Sequence, residues 1–210
     1  NYCYVINTSI TEPEREKKLP SSIGLLWDAS LSASARNIAK EKELLNTYLG
    51  RVGNAEVTLV VFSNGVKTTR PFSVSQGNWQ SLRSFLDSIR YDGATNFSKL
   101  NLKNIRADEF LLFSDGRHTL GNGSMQLADK PVHCINSSVM ADFSQLKEIA
   151  FKTGGTVIDL LNENAEANLR KLTREPFRFF GIRSNSGVKE YYPSLPVAVN
   201  GSFSVAGMRI

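Results

Sequence analysis

The stretch Ile23–Asn37, "IGLLWDASLSASARN", decides how the rest of the chain is read. Its first five residues form a continuous apolar run, the pattern of a parallel strand buried on both faces. The run ends at Asp28. Two hydroxyls follow at alternate positions, Ser30 and Ser32, and helix-forming sequence comes next. A carboxylate and two hydroxyls at a strand end have two readings. They are good helix N-cap residues, or they are hard oxygen ligands gathered on one tight turn. In either case the helix is expected to start at once, with its N-terminal N–H groups turned toward the loop.

Working outward, strand and helix patterns alternate. "SARNIAKEKELLNTYLGRV" places Ile38, Leu44, Leu45, Tyr48 and Leu49 on one side of a helix. "AEVTLVVFS" (55–63) is a strand, "NG" (64–65) a hairpin turn, and "VKTTRPF" (66–72) an antiparallel edge strand, where Pro71 is tolerated. Residues 78–89 carry a helical stripe of Trp79, Leu82, Phe85, Leu86 and Ile89. The turn "YDGATNF" (91–97) leads into a weaker helix, "FSKLNLKNI". "DEFLLFSDG" (108–116) is a second buried strand ending in an aspartate. "PVHCINS" (131–137) is a strand, and residues 142–155 a helix with Asp142 as N-cap and a glycine stop. "TVIDLL" and "NAEANLRKLTRE" close the alternation. The fold class is α/β: a doubly wound, mostly parallel sheet with helices on both faces and one antiparallel edge strand. Beyond Pro176 the sequence becomes aromatic, β-branched and turn-separated. Together with "NYCYVIN" at the start, it is expected to form a small β appendage from the two chain ends. Residues 8–22 read as a polar surface linker.

The bulk numbers exclude more than they select. The chain has 210 residues, 41% hydrophobic and 21% charged, with a formal net charge of +5. The basic residues are scattered among acids in "EREKK" (14–18), "KEKE" (40–43) and "LRKLTRE" (169–175). No basic stripe with interleaved aromatics marks a nucleic-acid surface. No apolar run is long enough to span a membrane. Cys3 and Cys134, both in strand-like runs, read as buried free thiols or as one long-range disulfide, not as a disulfide framework or zinc site. The chain starts without methionine or signal pattern and stops at "VAGMRI", which reads as a piece of a longer protein.

In doubly wound sheets ligands bind at the carboxyl ends of strands, near the reversal of strand order. Asp28, Ser30 and Ser32 belong on that rim, with Thr95 from "DGATNF" and Asp115 from "FSDG". All five offer hard oxygens, which suit Mg²⁺, Mn²⁺ or Ca²⁺. Two carboxylates and three hydroxyls do not complete a six-oxygen shell, so a position is left for a carboxylate from a partner.

With these residues in place, the chain resembles a von Willebrand factor A domain. The family's metal-ion-dependent adhesion site is D-x-S-x-S with a distant threonine and a distant aspartate, matched here by "DASLS" (28–32), Thr95 and Asp115. The resemblance covers residues 20–175, leaving 1–19 and 176–210 to the β appendage. It implies a Rossmann-like fold, a bound cation and a protein ligand with an exposed Asp or Glu. "KKLPSSIGLLWDAS" and "FSQLKEIAFKTGGTVIDL" are similar to A domains that follow a VIT domain, as in inter-α-trypsin inhibitor heavy chains. That likeness implies neighbouring domains in the same chain and an extracytoplasmic or secreted setting. One departure stands out. Leu31 occupies the position usually held by glycine between the two serines, where a side chain could narrow the loop or shield the ion.

The function expected is a metal-dependent adhesion or interaction module, not an enzyme. Leu31, Asn96, Arg117 and His118 form the partner-binding rim. A metal-dependent hydrolase or phosphoryl-transfer enzyme is the alternative, but no aspartate sits two residues after Asp28 and the rim lacks an evident base. "GNGSM" (121–125) fits neither a nucleophile elbow nor a dinucleotide fingerprint. A scaffold with a vestigial site is the third reading, resting on Leu31.

Overall fold

The structure, a computed structural model, describes residues 2–10, 15–175, 177–183, 187–194, 197–199 and 201–209. Residues 11–14 of the expected linker, and Pro176, lie outside the described residues. The chain forms two compact units, one of residues 18–172 and one of 1–17 with 173–210.

The smaller unit is antiparallel. β1 (Tyr2–Ile10) pairs along its whole length with β13 (Gly201–Arg209), which also pairs with β11 (Val188–Tyr192). β2 (Arg15–Glu16) pairs with β9 (Arg174–Glu175), so part of the expected linker is strand. β10 (Phe177–Phe179) pairs with β12 (Val197–Val199). Cys3 is exposed on β1 and Cys134 is buried in the other unit, and both are free thiols. The burial expected for Cys3 fails because β1 is an edge strand with most of its residues in solvent.

The larger unit holds a six-stranded sheet in the order β5-β4-β3-β6-β7-β8. The strands are β3 (Ser22–Asp28), β4 (Ala55–Phe62), β5 (Val66–Val74), β6 (Glu109–Phe113), β7 (Val132–Asn136) and β8 (Val157–Asp159). All neighbours are parallel except β4 and β5. Strand alternation sends side chains to two cores. Ile23, Leu25, Trp27, Leu111 and Phe113 pack with Leu45, Tyr48 and Leu49 of α1 (Ile38–Val52), Leu82 and Leu86 of α2 (Gln80–Asp87), and Leu172 of α4 (Ala165–Thr173). Leu26, Phe110 and Leu112 pack on the opposite face with Leu146 and Ile149 of α3 (Phe143–Thr153). Gly24 leaves room on that face for Phe110, whose ring would lie 2.3 Å from an added Cβ.

Two helix expectations change. α1 begins at Ile38, not directly after the loop, because a 3₁₀ turn (Ser32–Ala35) intervenes and Asn37 caps the helix by accepting the Lys40 N–H at 3.1 Å. The weak helix over 97–105 is two 3₁₀ turns, Phe97–Lys99 and Leu102–Asn104. The Asn96 and Asn101 side chains each cap a new turn, which breaks the helical run. Among the described residues no helix is long and apolar enough to cross a membrane.

Candidate metal centre at the carboxyl edge of the sheet

The order of strands turns at β3. The chain moves from β3 outward to β4 and β5, then returns to β6 on the other side and continues to β7 and β8. The crevice beyond the carboxyl ends of β3 and β6 is therefore the switch point of the sheet. Asp28 is the last residue of β3, and Trp27 pairs with Phe113, the last of β6. That register sets Asp28 beside Ser114 and brings Asp115 onto the same edge.

Asp28 is fully buried. Its Oδ1 accepts the Ser30 N–H at 2.9 Å, which folds the loop back on the strand end. Its Oδ2 accepts the Ser114 hydroxyl at 2.6 Å. The Ser114 oxygen in turn accepts the Gly116 N–H at 3.0 Å. Ser114 thus ties the ends of the two strands together. Ser30 is buried and Ser32 half-buried, with their hydroxyl oxygens 3.2 Å apart. Asp115 is buried. Its Oδ1 accepts the Arg117 N–H at 3.1 Å, and its carbonyl accepts the Asp142 N–H at 2.7 Å. Gly116 makes this approach possible. Its φ is 75°, and an added Cβ would lie 2.6 Å from the Asp142 carbonyl oxygen.

The loop carrying Thr95 is pinned by main-chain bonds: Asp92 N–H to the Ala29 carbonyl (2.9 Å), Leu31 N–H to Gly93 (2.8 Å) and Asn96 N–H to Ser63 (2.9 Å). Thr95 is fully buried. Its N–H donates to the Thr119 hydroxyl at 2.9 Å, and its carbonyl accepts the N–H groups of Thr119 and Leu120. Its own hydroxyl has no hydrogen-bond partner among the described residues. A buried polar group left unpaired costs about 1–3 kcal/mol, so this oxygen is either a defect or a ligand.

The electrostatics separate Glu41 from the other two buried acids of this edge. The Arg36 guanidinium lies over the Trp27 ring, 5.3 Å from its centroid, and donates to the Asp28 main-chain carbonyl at 2.8 Å. Its charge is matched by Glu41, with Nε 3.5 Å from Oε1 and both side chains buried. Burial pushes the Glu41 carboxyl up, while Arg36 and the Ser137 hydroxyl pull it back. The carboxylates of Asp28 and Asp115 have no ion-pair partner among the described residues. Two acids and three hydroxyls, all oxygen donors, fit a hard divalent cation.

"DASLS" does not cap α1, which Asn37 caps; within the motif the Ser30 hydroxyl oxygen accepts the Ala33 N–H at 3.4 Å in the 3₁₀ turn. Leu31 turns its side chain outward, at 65% exposure, and does not fill the loop. Arg117 is exposed. His118 is half-buried, its Nε2 2.6 Å from the Leu120 carbonyl oxygen and its ring edge against Phe97. Asn96 departs from the rim expected for it. It is 5% exposed, and its Oδ1 is taken by the Ser98 N–H and hydroxyl at 3.1 and 2.6 Å. Asp92 is exposed and paired with Lys67. Ser114 was not among the residues read from sequence. Its only signal was its place immediately before Asp115 in "FSDG".

Comparison with solved structures gives the fold a name. The von Willebrand factor type A protein from Catenulispora acidiphila superposes with a TM-score of 0.54 at 13% identity, over 98% of this chain and 60% of that one. The fold is that of a von Willebrand factor A domain. An aerotolerance-related membrane protein from Bacteroides fragilis, carrying multiple mutations to serine, matches with a TM-score of 0.51 at 14% identity. That match covers 72% of this chain and 96% of its own. Proximal thread matrix protein 1 from the mussel byssus matches with a TM-score of 0.51 at 15% identity, over 81% and 49%. No protein-family model and no curated protein matches the sequence. In this A-domain fold the five oxygen-bearing residues stand at the carboxyl edge.

Proposed function

We propose that residues 18–172 form a metal-dependent protein-binding module that captures an acidic residue of a partner, and that the module is not an enzyme. The cation, Mg²⁺ with Mn²⁺ or Ca²⁺ as substitutes, would be held by Asp28, Ser30, Ser32, Thr95 and Asp115. When bound, the cation supplies Lewis-acid attraction for a carboxylate that these five side chains do not themselves provide. The observation that carries the reading is the Thr95 hydroxyl, buried without a hydrogen-bond partner among the described residues, on the sheet edge that also holds two buried carboxylates with no ion pair among those residues. Ser114 positions Asp28 by donating to Oδ2, which leaves the remaining lone pairs of that carboxylate for the ion. The nearby amine, Lys67, is paired with Asp92, which argues against a role as general base. The outward Leu31 favours a working site over a vestigial one.

The narrower kinship with A domains that follow a VIT domain, and the extracytoplasmic setting it implies, belong to the same proposal. They rest on the sequence entering β3 and on that around α3.

The test is calorimetric titration of Mg²⁺ and Mn²⁺ into EDTA-stripped protein, beside Asp28→Ala. A one-to-one isotherm is expected for the wild type and none for the variant. A ligand at one hundred times its dissociation constant adds about 2.7 kcal/mol of stability, so the melting temperature should rise in step. No heat and no thermal shift in either protein would overturn the metal reading and leave the scaffold reading in its place.

A further inference from the structure

The chain has two Asn-Gly pairs whose asparagines are described, Asn64–Gly65 and Asn122–Gly123; the asparagine of a third, Asn200–Gly201, lies outside the described residues. Glycine carries no Cβ to shield its main-chain nitrogen. That nitrogen can close a five-membered ring on the Cγ of the preceding asparagine. Closure has two requirements: the main chain between the two residues must turn, and the carboxamide must not be held elsewhere. Asn64 and Asn122 are both exposed, so access to water does not separate them. Their hydrogen bonds do.

Asn64 is held. It lies in the turn between β4 and β5, where Phe62 pairs with Val66 and the Ser63 N–H donates to the Gly65 carbonyl at 2.9 Å. Its Oδ1 accepts the Ala94 N–H at 2.5 Å, and that oxygen is 2.7 Å from where a Cβ on Gly93 would fall. Turning the carboxamide toward Gly65 breaks this bond. Asn122 has no such restraint. Residues 121–124 are all exposed. The loop is fastened before them by the Thr119 and Leu120 N–H groups to the Thr95 carbonyl, at 3.1 and 3.0 Å. It is fastened after them by buried Met125 and by the Gln126 N–H to the Leu100 carbonyl at 2.9 Å. Between these anchors neither the main chain of 121–124 nor the Asn122 side chain makes a hydrogen bond among the described residues. A stretch without backbone hydrogen bonds rearranges at low free-energy cost. Gly123 lies against Ser98, where an added Cβ would come within 2.8 Å of the serine Cβ. Packing therefore demands glycine at 123, and the missing Cβ bares the nitrogen that follows Asn122.

We propose that Asn122 is a site of spontaneous covalent modification, converting through a succinimide to aspartate and isoaspartate in the folded protein, while the hairpin protects Asn64. The Gly123 nitrogen bonds to Asn122 Cγ, the Cγ–Nδ2 bond breaks, and ammonia leaves with the proton of the Gly123 N–H. Water then opens the ring. Cleavage between Cγ and the Gly123 nitrogen gives aspartate. Cleavage between the Asn122 main-chain carbonyl carbon and that nitrogen gives isoaspartate, whose main chain is longer by one methylene. No oxidant, cation or enzyme takes part, so the inference is independent of the metal reading. Each conversion adds a negative charge to a loop that also carries Arg117 and His118, and lowers the chain's formal net charge of +5 by one.

The test is to age the protein in mildly alkaline buffer below its melting temperature, with a second sample unfolded in urea. Samples drawn over weeks are mapped by peptide mass spectrometry, with fragmentation to place each change. At Asn122 of the folded protein a product about one dalton heavier is expected, as a mixture of aspartate and isoaspartate. It should form about tenfold or more faster than at Asn64. In urea, where the hairpin and its bond from Ala94 are gone, the two pairs should convert at similar rates. Asn122→Gln, whose longer side chain cannot form the five-membered ring, should abolish the change at 122 and leave Asn64 as in the wild type. Equal rates at 64 and 122 in the folded protein would overturn the selection by structure. Asn122 intact in the folded protein after the unfolded chain has converted would overturn the site, because the loop would then be held as firmly as the hairpin. Aspartate without isoaspartate would mean direct hydrolysis of the carboxamide and would overturn the ring.

Discussion

The two ends of the central sheet treat their carboxylates in opposite ways. At the amino edge Glu109, the first residue of β6, is almost wholly buried and accepts the Tyr48 hydroxyl, with His133 Nε2 3.7 Å away. Beside it Asp108 accepts the Ser21 and Ser22 N–H groups at 2.9 and 3.0 Å and the Ser21 hydroxyl at 3.0 Å. At the carboxyl edge Asp28 receives one N–H and one hydroxyl, Asp115 one N–H at its side chain, and the Thr95 hydroxyl nothing. The first pair of acids is closed by the chain's own donors and fastens strands, helix and loop. The second is left open toward an ion. The strand ends are alike in sequence, so what distinguishes a structural acid from a ligand is whether the surrounding chain completes its bonds.

The largest effect expected from this contrast lies at the closed end. Tyr48→Phe leaves Glu109 buried without its hydroxyl donor, and should cost about 1–3 kcal/mol in chemical denaturation. Burial first, and then the Glu109 charge, hold the Tyr48 phenol far above its ordinary range, so at neutral pH it is always a donor. Mn²⁺ titration of this variant should match the wild type. A changed cation affinity would mean that the two ends are coupled.

Thr95→Val should behave in the opposite sense. It replaces an unpartnered hydroxyl by a methyl group of similar size, so the metal-free protein should keep its stability or gain up to about 1 kcal/mol. Its Mn²⁺ affinity should fall. A loss of metal-free stability as large as that of Tyr48→Phe would break the comparison, because the hydroxyl would then be a structural group.

The smallest effect is a pH dependence. Burial alone would raise the Asp108 carboxyl, but the bonds from Ser21 and Ser22 outweigh it and hold the group below its ordinary value. A carboxylate depressed in the folded state stabilises above its unfolded pKa, about 3.9, and that contribution is lost as pH falls through the folded value. Asp108→Asn should therefore flatten the acid limb of the stability curve below about pH 4 and leave the neutral region nearly parallel to wild type. An unchanged acid limb would remove Asp108 from the closed set.

Much of this was visible in the chain. Short continuous apolar runs at 23–27 and 110–113, each bounded by polar residues, are the pattern of strands covered on both faces, and their endings put Asp28 and Asp115 at one edge. The antiparallel return through Pro71 follows from local pattern, as do the strands at the two chain ends, whose pairing over about two hundred residues does not. The start of α1 was not legible. Ser30, Ser32, Ser34 and Asn37 are all competent caps, and the choice of Asn37 depends on its N–H reaching the Ser137 carbonyl across the sheet edge. Asn96 follows Thr95 and so falls on the expected rim, yet its carboxamide turns inward to cap its own 3₁₀ turn. Ser114 was passed over because a serine before an aspartate has no distinguishing spacing. Its role appears only when the β3–β6 register places it against Asp28.

Local sequence by itself determined the strands, their two-faced burial, and the set of oxygen donors at their ends, because side-chain periodicity and strand length act over a few residues. Only the tertiary structure decided which donors are spent within the protein and which are left over. Hydrogen-bond satisfaction is a property of partners 24 to 86 positions apart, such as Thr95 with Thr119 and Asp28 with Ser114, and it is settled by strand register and loop contacts that no local pattern encodes.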